Sequence, residues 1–196
     1  HVRLRIYPDG GIARLRLYGR FSKAGWFNCR LQELNAAPAV RAREKFLACC
    51  GSERWANKMV DVRPFGSLDD VLSSAQEIWG NLTQKDWLEA FAAHPRIGED
   101  AEESEQSDAG KAFSEQEQSG ADDADEDVQR ELHEFNERYY DTFGFIFIVF
   151  ATGKSSEEML DILKERIDND RQTEIDNAGA AQIEITKLRL QKLLTS

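Results

Sequence analysis

His94 is the first residue whose position invites chemistry. Leu88, Phe91 and Ala92 carry a helix up to it, and Pro95 ends that helix directly afterwards, so the imidazole can face a cleft. With an ordinary pKa of about 6.5, a histidine placed there can both take and give a proton near neutrality. By itself the position equally suits a cap or a packing residue. Further on, Ser114-Glu115-Gln116-Glu117-Gln118-Ser119-Gly120 sets a serine and a glutamate three residues apart, the pattern of a capping box that opens a helical turn. A third feature is the apolar run Phe143-Gly144-Phe145-Ile146-Phe147-Ile148-Val149-Phe150, entered through glycine and followed by Gly153-Lys154-Ser155. An apolar strand, Gly-Lys-Ser and then a helix suggest a phosphate loop, but that motif requires glycine five residues before Gly153, and Ile148 stands there. His133 and Glu137 lie one helical turn apart, yet no further ligand has suitable spacing, so no metal is expected.

The elements that must position these groups read as helices. Pro38 precedes Val40, Phe46 and Leu47, with Gly51 as the stop, and Ser52 precedes Trp55, Met59 and Val60. Capping boxes recur as Ser67 with Asp70, Thr83 with Asp86, and Ser155 with Glu158, each ahead of an apolar periodic stretch. The periodicity predicts a longer helix from about Asp125 to Phe143, stopped by Gly144, and a last one from about Thr173 with Ile183, Leu188, Leu190 and Leu193. The expected fold class is all-α, a bundle of about seven to nine helices. The first twenty residues differ: Val2, Leu4 and Ile6 alternate with Arg3 and Arg5, a Pro8-Asp9-Gly10-Gly11 turn follows, and Ala13, Leu15 and Leu17 alternate with Arg14 and Arg16. Period two on both sides of such a turn predicts a β-hairpin, and a lone hairpin is marginal in water, so its sheet should lie in a neighbouring domain.

Composition narrows the function classes. With 196 residues, 41% of them hydrophobic, the chain can bury one substantial core. The most apolar stretch, Phe143 to Ala151, is about half a membrane span, so no membrane association is expected. The net charge of -11 is concentrated: Glu99 to Asp127 holds 13 acidic residues against Lys111 alone, which leaves the remaining chain nearly neutral. No basic stripe is available to neutralise phosphates, which argues against nucleic acid. Cys29, Cys49 and Cys50 fit neither a disulfide framework nor a zinc site and point to a reducing compartment. The amino end, with no initiator methionine and no apolar leader, reads as a cut in a longer chain, and a cytoplasmic location is expected.

Taken in order, His94-Pro95-Arg96-Ile97-Gly98, Ser114-x-x-Glu117-Gln118-x-Gly120, Phe143-Gly144-Phe145 and Glu184-Ile185-x-Lys187-x-Arg189-Leu190 resemble the family of 2-oxo-4-hydroxy-4-carboxy-5-ureidoimidazoline (OHCU) decarboxylases. Leu31-x-x-Leu34-Asn35 and Arg63-Pro64-Phe65 belong to the same likeness, which extends over roughly residues 27 to 194. The segment His1 to Gly19 resembles the closing segment of allantoicase domains. The two resemblances imply a hairpin fragment over residues 1–20, a linker over 21–27 and a decarboxylase-like domain over 28–196. They further imply a cofactor-free decarboxylase that makes (S)-allantoin in urate breakdown, often as a homodimer and here beside an allantoicase. For the site the likeness implies His94 as acid/base, Glu117 to orient it, and Arg189 to hold a carboxylate or ring oxygen of an anionic small-molecule substrate. Pro95, Ser114 and Gln118 would bind or position substrate, with Phe145, Ile146, Phe147 and Ile148 offering backbone groups to the ring. Arg166 is the rival to Arg189, although its place between Glu165 and Ile167 suits a surface ion pair. A helical interaction module attached to an allantoicase is the non-enzymatic alternative. Many family members end in a peroxisomal tripeptide, whereas this sequence ends Leu194-Thr195-Ser196.

Overall fold

A computed structural model of the chain describes residues 23–95, 113 and 126–195. The expected hairpin, and Ser114, Glu117 and Gln118 among the candidate site residues, lie outside these residues. The described residues form eight helices and no strand: α1 (Lys23–Ala36), α2 (Ala39–Cys50), α3 (Glu53–Asp61), α4 (Leu68–Gly80), α5 (Gln84–Ala92), α6 (Glu126–Phe143), α7 (Ser156–Arg166) and α8 (Arg171–Thr195).

Local chemistry accounts for most of the boundaries. Ser52 accepts from the Trp55 amide to open α3. Thr83 and Ser155 form complete capping boxes with Asp86 and Glu158. At Ser67 only half of the expected box forms: its hydroxyl accepts from the Asp70 amide, but the Asp70 carboxylate reaches one residue further back, to the Gly66 N–H at 2.8 Å. Gly144 adopts φ 75° and closes α6. The last helix begins two residues before the expected Thr173, because Asp170 caps it through the amides of Gln172 and Thr173, at 3.0 and 3.1 Å. The apolar run after Gly144 joins no sheet among the described residues: residues 146–150 take no regular secondary structure.

The helix α8 is the axis of the fold, packing against α1, α2, α4 and α5. It buries Ile175, Ala178, Ile183, Ile185, Leu190 and Leu194, residues that face several directions around the helix, so it is enclosed rather than amphipathic. Two places show how the neighbours lock on. The Trp87 ring of α5 stacks on Trp79 of α4, with centroids 5.3 Å apart, and its edge lies where a side chain on Gly179 of α8 would be, 2.9 Å from the position of a Cβ. Trp79 in turn donates from Nε1 to the Gly179 carbonyl at 3.0 Å. The family-like segments Leu31 to Asn35 and Arg63 to Phe65 also meet. Asn35 and the Phe65 backbone exchange hydrogen bonds at 2.8 and 2.9 Å, and Arg63 Nη1 donates to the Leu34 and Ala37 carbonyls that α1 leaves unpaired at its end.

α6 and α7 pair with one another and join the rest through a buried polar knot. Glu174 of α8 is fully buried and accepts from Arg166 Nε at 2.8 Å, from Asn169 and Asn177, and from the Tyr139 hydroxyl. Burial acts to raise this carboxyl, but the donors outweigh it and hold it below the usual range. Burial and the bond to Glu174 push the Tyr139 hydroxyl well above its ordinary value, so it stays protonated as the donor.

Candidate active site

His94 sits one residue beyond the α5 cap, its amide bonded to the Phe91 carbonyl at 3.1 Å. Two helix ends meet there. Gly51, at φ 84°, terminates α2, and a Cβ on it would lie 2.5 Å from Ala93 Cβ, so only glycine allows α2 to end against the residue before His94. This contact joins the chain segments that carry Cys50 and His94. From α8 come Gln182, Thr186 and Arg189, which share one face of the helix and are all buried.

His94 keeps some solvent exposure as a residue, while its Nε2 is enclosed. Burial, reinforced by the Arg189 guanidinium, pushes the imidazole down to about 3, with the Gln182 amide acting weakly the other way. The imidazole is thus held well below its ordinary value of about 6.5 and is uncharged around neutrality. Cys50, the last residue of α2, is pushed up to about 12 by burial, so its thiol stays protonated and packs as a small apolar group. Arg189 lies with its guanidinium 5.9 Å from the ring centroid of Phe113, the residue immediately before Ser114.

The remaining candidates divide. Pro95 is buried directly after His94. Phe145, Phe147 and Ile148 are buried and Ile146 partly so. The rings of Phe145 and Phe147 pack on Tyr139, and Phe145 also contacts Phe91 at 5.6 Å, which holds this segment against the last turn of α5. The Ile148 carbonyl is engaged by Arg166 Nη1 at 2.9 Å. Arg166 is not the surface pair expected of it. Its partner is the buried Glu174, and the guanidinium also lies over the Phe147 ring, so its donors are committed to holding α6, α7 and α8 together. Lys154 of the Gly-Lys-Ser sequence turns back onto the Phe150 carbonyl at 3.0 Å. Among the described residues no group of three or more His, Cys, Asp or Glu is arranged to hold a metal, and no helix is long and apolar enough to cross a membrane.

Sequence reasoning passed over Gln182 and Thr186. The available signal was their placement. Gln182 and Thr186 precede Arg189 by about two turns and one turn, as uncharged polar residues on a largely buried helix.

Known proteins resemble the chain in two separate stretches. Residues 35–191 match the family model described as OHCU decarboxylase, and residues 1–22 match the one described as allantoicase repeat. A relative from Arabidopsis thaliana, named uric acid degradation bifunctional protein TTL, is 40% identical over 154 residues, covering 78% of this chain and 47% of that protein. A crystal structure described as OHCU decarboxylase in the presence of (S)-allantoin superposes with a TM-score of 0.68 at 35% identity, covering 78% of this chain and 99% of the other. At the amino end, a probable allantoicase from Rhizobium meliloti is 80% identical over 20 residues, which is 10% of this chain and 6% of that protein. The chain spans less than half the length of the bifunctional relatives it matches.

Proposed function

Because the chain belongs to the OHCU decarboxylase family, we propose that it decarboxylates 2-oxo-4-hydroxy-4-carboxy-5-ureidoimidazoline to (S)-allantoin in urate degradation, as a cofactor-independent carbon–carbon lyase. The observation that carries this reading is a neutral imidazole, His94, enclosed beside the guanidinium of Arg189 where α2, α5 and α8 converge. The substrate carboxylate leaves from a carbon that bears a hydroxyl and adjoins a ring imine. As carbon dioxide departs, the electron pair of the broken bond moves toward the imine, whose nitrogen takes one proton from the medium. The hydroxyl proton then passes to a base and on to the neighbouring ureido-bearing carbon, delivered from one face. His94 is that base, and its depressed pKa makes the protonated form a strong donor for the second transfer. Arg189 holds a carboxylate or ring oxygen through its planar fork. Glu117 polarises the imidazole through its charge, while Ser114 and Gln118 bond the ureido and ring groups. Pro95 fixes the direction of His94, and the backbone from Phe145 to Ile148 forms part of the floor. The contact between Phe113 and Arg189 supports a place for Ser114 and its followers in this site.

Urate oxidised in situ supplies the unstable substrate, and its absorbance decay can be followed together with the optical activity of the product. Accelerated decay yielding (S)-allantoin is expected. Racemic allantoin formed at the uncatalysed rate would overturn the assignment.

A second observation, the allantoicase-repeat match over residues 1–22, supports a fusion in which an allantoicase domain precedes the decarboxylase, with a hairpin over 1–20, a linker over 21–27 and the second domain over 28–196. Release of ureidoglycolate from allantoate by the longer chain tests it. Homodimerisation follows the family pattern and a cytoplasmic location is part of the same proposal; light scattering and cell fractionation check them.

A further inference from the structure

Gln182 is fully buried on the face of α8 that carries Thr186 and Arg189. Its Nε2 points toward the end of α2, 3.4 Å from the Cys50 carbonyl and 3.3 Å from the Thr186 hydroxyl. These two acceptors fix the sense of the carboxamide, because the opposite orientation would set Oε1 against the Cys50 carbonyl oxygen. Oε1 is thereby left on the other side, where it is buried without a hydrogen-bond partner among the described residues. One other buried atom at this place is in the same condition, Nε2 of His94. The carboxamide is near enough to the imidazole to favour its charged form. A buried acceptor left unpaired is destabilising, and a single N–H from the ring would satisfy it. The part of His94 that solvent reaches does not include Nε2.

Resting on the reading of His94 as the base, we propose that Gln182 is a positioning residue that fixes the tautomer of His94: Oε1 accepts the Nε2–H, and the lone pair is kept on Nδ1. Nδ1 then receives the substrate hydroxyl proton and returns it to the ureido-bearing carbon, while Nε2–H stays on Gln182 throughout. The bond strengthens in the cationic intermediate, since an amide oxygen accepts better from an imidazolium, and this partly offsets the opposing field of Arg189. Among the described residues, the charged group that acts on the ring is Arg189 from α8.

The test begins without substrate. Protein labelled with 15N-histidine is examined at pH 7 by long-range proton–nitrogen correlation, with His94→Gln identifying the signal. The expected spectrum shows protonated Nε2 and bare Nδ1. Gln182→Met should convert it toward a mixture of tautomers and lower kcat by about tenfold or more, the scale on which orienting partners of functional histidines act, with KM nearly unchanged. Gln182→Glu, which keeps an acceptor oxygen, should retain the wild-type tautomer and recover most of the turnover. A wild-type spectrum with protonated Nδ1 overturns the proposal whether or not any variant folds. Wild-type kcat in a folded Gln182→Met, or equal losses in the Met and Glu variants, overturns it as well. Full activity in His94→Gln would instead remove the base assignment on which the proposal rests, and the tautomer measurement separates the two failures.

Discussion

At the scale of single residues, the proposed site turns on an imidazole kept neutral by its surroundings. Replacing His94 with alanine should leave a folded protein that turns over at least about a hundredfold more slowly, the usual effect of removing a positioned acid/base; steady-state kinetics with in situ substrate, beside an unchanged far-ultraviolet spectrum, checks it. The depressed pKa also has a thermodynamic consequence. Between about pH 6.5 and the folded value of about 3 the unfolded chain binds a proton at this residue and the native protein does not, so stability falls as pH falls through that window. Urea titrations at pH 7 and pH 5 should show a smaller acid loss for His94→Gln than for wild type. The position of His94 was legible in the sequence, because a helix stopped by proline is a local signal. Its neutrality was not, since that depends on enclosure and on Arg189, which only the folded chain brings close. Gln182 was missed for the same reason: on sequence it is one more polar residue in a helix.

At the scale of elements, the caps were readable because each is written within four residues, and even the half-formed box at Ser67 departs by only one backbone amide. What the sequence did not display is how helix ends are pressed together. Gly51→Ala places a methyl group 2.5 Å from Ala93 Cβ in a backbone region that disfavours it. The expected outcome is a loss of several kcal/mol in chemical denaturation, since a positive-φ penalty and an overpacked contact combine, and a drop in turnover through displacement of His94. The Arg166–Glu174 knot makes a contrasting prediction. Arg166→Met leaves a fully buried carboxylate without its cation and should cost about 3–5 kcal/mol. Adding Glu174→Gln should recover much of that, a comparison read from thermal melts of the two variants. Arg166 illustrates why neighbours in sequence mislead, because its partner lies across the connection to the next helix rather than one turn away on its own.

At the scale of the whole molecule, the parts divide as the two family matches do, with residues 1–22 in one and the helical body in the other. A chain beginning at Lys23 should therefore keep the helical circular dichroism, melting temperature and decarboxylation rate of the longer one. A large fall in any of these would show that the first segment supports the body. The helical character of the described residues was legible because seven of their eight helices announce themselves by periodicity or caps. The role of α8 as the common axis was not, because an enclosed helix carries no polar face to reveal where it lies. That axis holds α5 through the sandwich of Trp79 and Trp87 over Gly179, with 11° between the ring planes. Two indoles stacked in this way share their electronic excitations, so the protein has a built-in chromophore pair whose exciton couplet reports how α5 is seated. Replacing either tryptophan with phenylalanine would erase the couplet, and any ligand that shifts the helix carrying His94 would write its arrival into the ultraviolet spectrum of the unlabelled chain.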